Sequence, residues 1–179
     1  MRTLFLFLIL LALPFLGSAQ DWIQDDSKTE VTFKIKKMGL YVDGQFNKID
    51  FKSNLDINNL QSSFVKATLQ VISIKTGVEA RDKHLYTNEF FDEPAHKTIR
   101  FTSSKITKGK NGYYEMEGLL RIKKTIKPIT IPIAISQTKN KLEINAEFEL
   151  DRMDFDVGVA YLILSKKVKI KVRYVAEKP

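Results

Sequence analysis

The sequence predicts an all-β protein: about eight antiparallel strands closed into a barrel, with one short helical insertion. Three observations predict it. Several segments alternate apolar and polar residues with period two, which gives a strand one dry and one wet face. Turn sequences such as Asp-Gly and Asn-Gly fall between these segments and tolerate the positive φ of tight hairpins. Apolar residues at the three- and four-residue steps of a helix are missing from the same stretches. Consecutive strands joined by short turns form a meander, and closing the meander on itself removes exposed edges.

Taken in order, residues 1–19 read as a secretory signal peptide. Arg2 supplies a positive start, residues 4–13 are an unbroken apolar run, and Gly17-Ser18-Ala19 offers a small-residue cleavage site before Gln20. Residues 20–179 then form one domain, expected in the periplasm or outside the cell. Its first strand is carried by Val31, Phe33 and Ile35 alternating with Thr32, Lys34 and Lys36, and Asp43-Gly44 reads as the turn that follows. Strands are expected at 46–57 and 64–75. Residues 77–94 interrupt the β pattern, with one or two helical turns over 78–86 and an irregular segment carrying Phe90 and Phe91. Strands resume at 98–107, 113–122, 128–136, 141–150, 157–164 and 167–174. Lys110-Asn111-Gly112 and the stretch 138–141 mark two hairpin tips.

Composition narrows the function. The chain has 179 residues, 44% hydrophobic and 28% charged, with a formal charge of +8 and no cysteine. That excludes disulfide scaffolds, thiol nucleophiles and Cys-ligated metals. His84 and His96 are the only histidines, and neither lies at metal-ligand spacing with another. No GxSxG elbow and no Gly-rich phosphate loop is present, so the sequence reads as a non-enzyme without cofactor or metal. An exported chain meets no cytoplasmic nucleic acid. Its basic stripe of Lys167, Lys169, Lys171 and Arg173 either rests on anionic lipid as a peripheral membrane contact or keeps an outer face soluble.

The inward-facing set is apolar throughout. It includes Phe51, Ile122, Ile131, Val168, Ile170 and Val172 beside the site candidates named below. Eight strands enclose a space that side chains just fill or that holds one small ligand, and both readings stand at this level. The 77–94 insertion is likewise open to two readings, a lid over a barrel mouth or local packing.

The ordered motifs along the chain resemble the YceI-like family of exported lipid-binding proteins. They are Trp22-Ile23 with Ser27, residues 31–33, Met38-Gly39, Gly44-Gln45-Phe46, Ser73-Ile74-Lys75-Thr76-Gly77, Arg81-Asp82-Lys83-His84-Leu85 and Glu89-Phe90-Phe91-Asp92. Pro94, Ile99-Arg100-Phe101, Ser103-Ser104, Gly118-Leu119-Leu120, Lys127-Pro128 and Asp151-Arg152-Met153-Asp154-Phe155 continue the series. Lys37, Lys124 and Asp156 depart from the family pattern. The resemblance implies a lipocalin-like barrel holding an isoprenoid-like or other long-chain amphiphile, with homodimers in some members. The ligand would meet the inward-facing Phe33, Ile35, Leu69, Val71, Phe101, Leu120, Ile133, Leu142, Ile144 and Phe148 that alternation marks, with Phe155 of the last motif beside them. Arg81, Asp82 and His84 would lie at the head-group end, with Phe90 and Phe91 near the tail. The runner-up is a stress-related structural or interaction protein with a filled barrel.

Overall fold

The computed structural model describes residues 21–160 and 162–178, so the expected signal peptide lies outside the described residues. Eleven strands form one antiparallel sheet. They are β1 (Ile23–Gln24), β2 (Glu30–Lys37), β3 (Leu40–Phe46), β4 (Ile49–Ser53), β5 (Val65–Gln70), β6 (Ile74–Lys75), β7 (Thr98–Lys108), β8 (Tyr114–Ile122), β9 (Thr125–Gln137), β10 (Lys141–Asp151) and β11 (Leu164–Glu177). The one α-helix among the described residues, α1 (Glu79–Leu85), lies between β6 and β7.

The sheet runs β4-β5-β7-β8-β9-β10-β11-β2-β3-β6 and curls until its two ends meet. The chain itself crosses the seam. A turn at 47–48 carries it from β3 to β4, and the 3-10 turn Val71–Ser73 carries it from β5 to β6. Backbone bonds from Asn47 N to Ser73 O (3.1 Å) and from Gln70 N to Lys48 O (3.0 Å) join the two crossings. β1 adds a third stitch: it pairs with β11, while Gln24 donates to Ile49 O and accepts from Phe51 N on β4. No long unpaired edge is left at this end.

Two differences from the sequence expectation have physical causes. Asp43-Gly44 is not a turn but the middle of β3, where Asp43 faces Lys34 and Gly44 faces Phe33 across the ladder. The hairpin turns instead at Met38-Gly39, with φ of 51° and 81°, which gives the positive-φ pair of a tight β-hairpin turn. Residues 157–160 and 162–163 lie in no strand, because Arg152 draws the carbonyls of Val157 and Val159 inward instead of leaving them to a ladder. The tips at Asn111-Gly112 and 138–141 fold as hairpin turns.

One end of the barrel is solid. Trp22, Leu55, Leu142, Tyr174 and Val175 are buried there, with Trp22 Nε1 donating to Leu55 O at 2.7 Å. Outside, the basic stripe of β11 is matched by acids on β10: Lys167 faces Asp151, Lys169 faces Glu149 and Lys171 faces Glu147. Opposed charges on neighbouring strands stabilise the pairing. In register the stripe therefore stands opposite acids, and Arg173 Nε bonds Glu143 Oε1 at 3.1 Å.

Candidate functional site

Inward-facing side chains become less buried along the barrel axis. On β11 Tyr174 is 1% exposed, whereas Ile170 and Val168 are half-buried. β10 repeats the trend from Ile144 to Phe148 and Leu150, and β2 from Val31 to Ile35. The cause is a cavity of about 480 Å³ inside the open half. That volume falls in the range of pockets that take up small amphiphiles. Its wall is almost wholly apolar.

The wall has one designed gap. β9 and β10 pair only from Ile133–Ala146 to Gln137–Leu142, so residues 125–132 of β9 have no ladder partner on that side. Pro128 and Pro132, which lack an N–H to donate, stand in this unpaired half. The 3-10 turn Arg152–Phe155 covers the gap, with Phe155 buried against the cavity and Lys127 Nζ bonded to Asp154 Oδ1 at 2.7 Å.

Of the strand candidates, Phe33, Ile35, Leu69, Phe101 and Leu120 border the cavity, and so do Ile133, Ile144 and Phe148. Val71 and Leu142 do not. Val71 lies in the seam-crossing 3-10 turn, and Leu142 belongs to the solid end; both are at most 1% exposed. Sequence reading also passed over Val42, Met116, Ile129 and Leu150, which line the cavity. Alternation marks Leu150 as inward, but nothing in the pattern tells an inward residue in the solid half from one in the hollow half.

The insertion forms one rim of the open end. Arg81, His84, Phe90 and Phe91 all border the cavity. His84 and Phe90 stack edge to face at 5.0 Å between centroids. The aromatics therefore stand beside the polar residues, not at an opposite tail end. Asp82 is buried behind them and does not border the cavity. It accepts from Thr76 N (2.8 Å) and Thr76 Oγ1 (2.6 Å), anchoring the helix to β6. Arg81 donates from Nε to Thr76 Oγ1 and from Nη2 to Thr76 O, and no carboxylate among the described residues pairs with it. Its other N–H donors are not used by these bonds. His84 Nε2 lies 3.0 Å from Glu89 Oε2. His96, paired with Asp92 at 3.9 Å, lies outside the cavity wall.

The adjoining rim depends on a buried cation that the sequence marked only as part of a motif. Arg152, 5% exposed, donates to Val157 O (2.7 Å), Val159 O (2.8 Å) and Ser165 O (2.9 Å). Burial lowers its pKa, partly offset by Asp151. The insertion is tied to this loop by Gly158 N donating to Glu89 O (2.8 Å), and Lys123 Nζ bonds Asp156 O (2.7 Å). Asp156 adopts the left-handed conformation, φ 55°. Among the described residues, no cluster of three His, Asp or Glu side chains could hold a metal ion.

A curled antiparallel wall, apolar inside and opening past cationic side chains, defines a lipocalin-like binding barrel. The chain belongs to the YceI-like family: the YceI-like domain matches residues 22–176. A UPF0312 protein of Vibrio cholerae is 30% identical over 124 residues, covering 68% of this chain and 66% of its own length. A second, from Vibrio vulnificus, is 29% identical over 126 residues, covering 69% and 67%. The chain thus spans just under two thirds of the first of these relatives. Among solved structures, Burkholderia cenocepacia BcnA superposes with a TM-score of 0.81 at 24% identity, over 86% of this chain and 99% of its own. A polyisoprenoid binding domain from Saccharophagus degradans superposes with a TM-score of 0.70 at 10% identity, over 89% and 99%. At these identities the superpositions speak for the fold.

Proposed function

We propose that this protein is a non-enzymatic carrier of a long-chain amphiphile of the isoprenoid type, working in the periplasm or outside the cell. The observation that carries the reading is the hollow half of the barrel. An apolar cavity of this size gains free energy from each methylene it shields from water, about 0.8 kcal/mol before ordering costs. The tail lies along Phe33, Ile35, Phe148 and Ile170, toward the solid end. The head stays at the rim, where Arg81 has donors to offer a phosphate, carboxylate or hydroxyl. Family membership and the polyisoprenoid-binding neighbour support the same ligand class. An unfilled lumen weighs against the runner-up reading of a packed interaction module.

Native mass spectrometry of gently purified protein tests the proposal. The expected result is a co-purified lipid, or uptake of an added long-chain prenol at one molecule per chain. Protein that arrives empty and takes up no prenol would refute it. The export part of the reading is checked separately, by cell fractionation and an N-terminal sequence beginning at Gln20.

A further inference from the structure

We propose that the rim formed by the β2–β3 hairpin tip and residues 162–166, which lead into and begin β11, is a docking face for an anionic lipid bilayer, through which the cavity exchanges its guest. The inference rests on the carrier reading for its purpose, but its evidence is independent of the cavity's contents. Met38 and Leu40 at the hairpin tip are 73% and 75% exposed, and Leu162 on the loop is fully exposed. Tyr41 and Ile163 add further exposed apolar surface. The two segments are distant in sequence yet joined, since Met38 N donates to Ile163 O at 2.8 Å and Leu164 pairs with Lys37. Exposed apolar groups clustered in this way mark an interaction surface.

Charge selects the partner. Lys36, Lys37 and Lys166 flank the apolar tip, and residues 36–41 and 159–166 contain no acidic residue. Lys36 Nζ rests over the Tyr41 ring, 5.2 Å from its centroid, and none of the three lysines has a carboxylate partner among the described residues. Apolar side chains ringed by unpaired lysines match the acyl boundary and headgroups of an anionic membrane. A second copy of the chain would set these lysines against each other, which disfavours self-association. The patch is also continuous with the cavity, because Lys37 and Ile163 border both. A guest leaving the barrel passes from the apolar lumen to the bilayer without crossing water.

The test is vesicle co-sedimentation of the purified protein, with neutral phosphatidylcholine vesicles and with vesicles that also contain phosphatidylglycerol. The protein is expected to sediment with the anionic vesicles and to be released by salt. The pair Lys36→Gln and Lys166→Gln should weaken binding about fivefold per lysine, and the pair Leu40→Ser and Leu162→Ser should abolish it. All four side chains lie outside the cavity wall, so uptake of cis-parinaric acid in solution should be unchanged in both variants. Equal sedimentation of wild type and variants, or none at all, would overturn the docking face. So would a concentration-dependent dimer that the Leu variants dissolve while no vesicle is bound. Vesicle binding that persists in a protein unable to take up cis-parinaric acid would instead sink the carrier reading alone.

Discussion

The Phe33 ring lies flat over Gly44, its partner across the β2–β3 ladder. A Cβ built at position 44 would collide with Phe33 Cζ and stand 2.7 Å from both Cε atoms. Gly118 makes room for Phe101 diagonally across the β7–β8 ladder, where a Cβ would meet Phe101 Cζ at 2.5 Å and the Thr102 carbonyl oxygen at 2.5 Å. Both glycines occupy inward positions, next to Val42 and Phe46 on β3 and Met116 and Leu120 on β8. Each removes an inward side chain and lets a phenylalanine lie down on the wall. Two large rings thus line the lumen instead of plugging it.

Gly44→Ala is therefore expected to cost about 2 kcal/mol in urea denaturation, as an overpacked site does, and to weaken prenol binding by tilting Phe33 into the lumen. Combining it with Phe33→Leu should recover part of both losses. A double-mutant cycle with no coupling would show that the ring does not depend on the glycine.

The hollow and solid halves predict opposite outcomes for one substitution. Ile170→Trp places its ring in open space, so the fold should survive. Displacing about two methylenes of tail would cost about 1.6 kcal/mol of binding, roughly fifteenfold. Leu142→Trp, at 0% exposure, has no space to enter. It should destabilise the fold by about 2–3 kcal/mol, read as a lower urea midpoint.

Those two residues also show how far the sequence could be read. Period-two alternation set the inward faces of β2, β7, β8, β10 and β11, because a half-wet strand writes its burial into every second residue. It gave Leu142 and Ile170 the same status, since whether a lumen is filled depends on strand tilt and closure, not on local pattern. Asp43-Gly44 misled because glycine serves both turns and close approach; Phe33, eleven residues earlier in the chain, decides which. Asp82 looked like site chemistry and is a helix anchor. Arg152, in a polar run, gave no sign that it turns inward.

Arg152→Met should open the rim. The substitution leaves the carbonyls of residues 157, 159 and 165 without their donor, at a cost of about 3 kcal/mol. Amide exchange over 157–165 should accelerate ahead of the rest of the barrel. Arg152→Lys is expected to recover little, because one ammonium lacks the planar fork that reaches three carbonyls at once. Uniform exchange along the chain would contradict a role confined to the loop.

Tyr174 supplies the last prediction. It stacks on Phe51 at 4.7 Å between centroids, and its hydroxyl is buried with no hydrogen-bond partner among the described residues. Burial, reinforced by the negative charges of Asp50 and Asp21, pushes its pKa from 10.0 up to about 12. A raised folded-state value favours the neutral phenol in the native state. The contribution to stability is thus whole below pH 10 and is lost as the pH climbs through about 12. Tyr174→Phe removes an unpaired buried hydroxyl and keeps the stacked ring, so it should be neutral or stabilise by about 1 kcal/mol at pH 7. It should also abolish this residue's share of the alkaline loss. Absorbance titration of the wild type should show one tyrosine still neutral after the exposed ones have ionised, and the variant should lack it. Destabilisation at neutral pH would mean that the hydroxyl has a partner in solution, and the solid end of the barrel would then be wetter than its packing indicates.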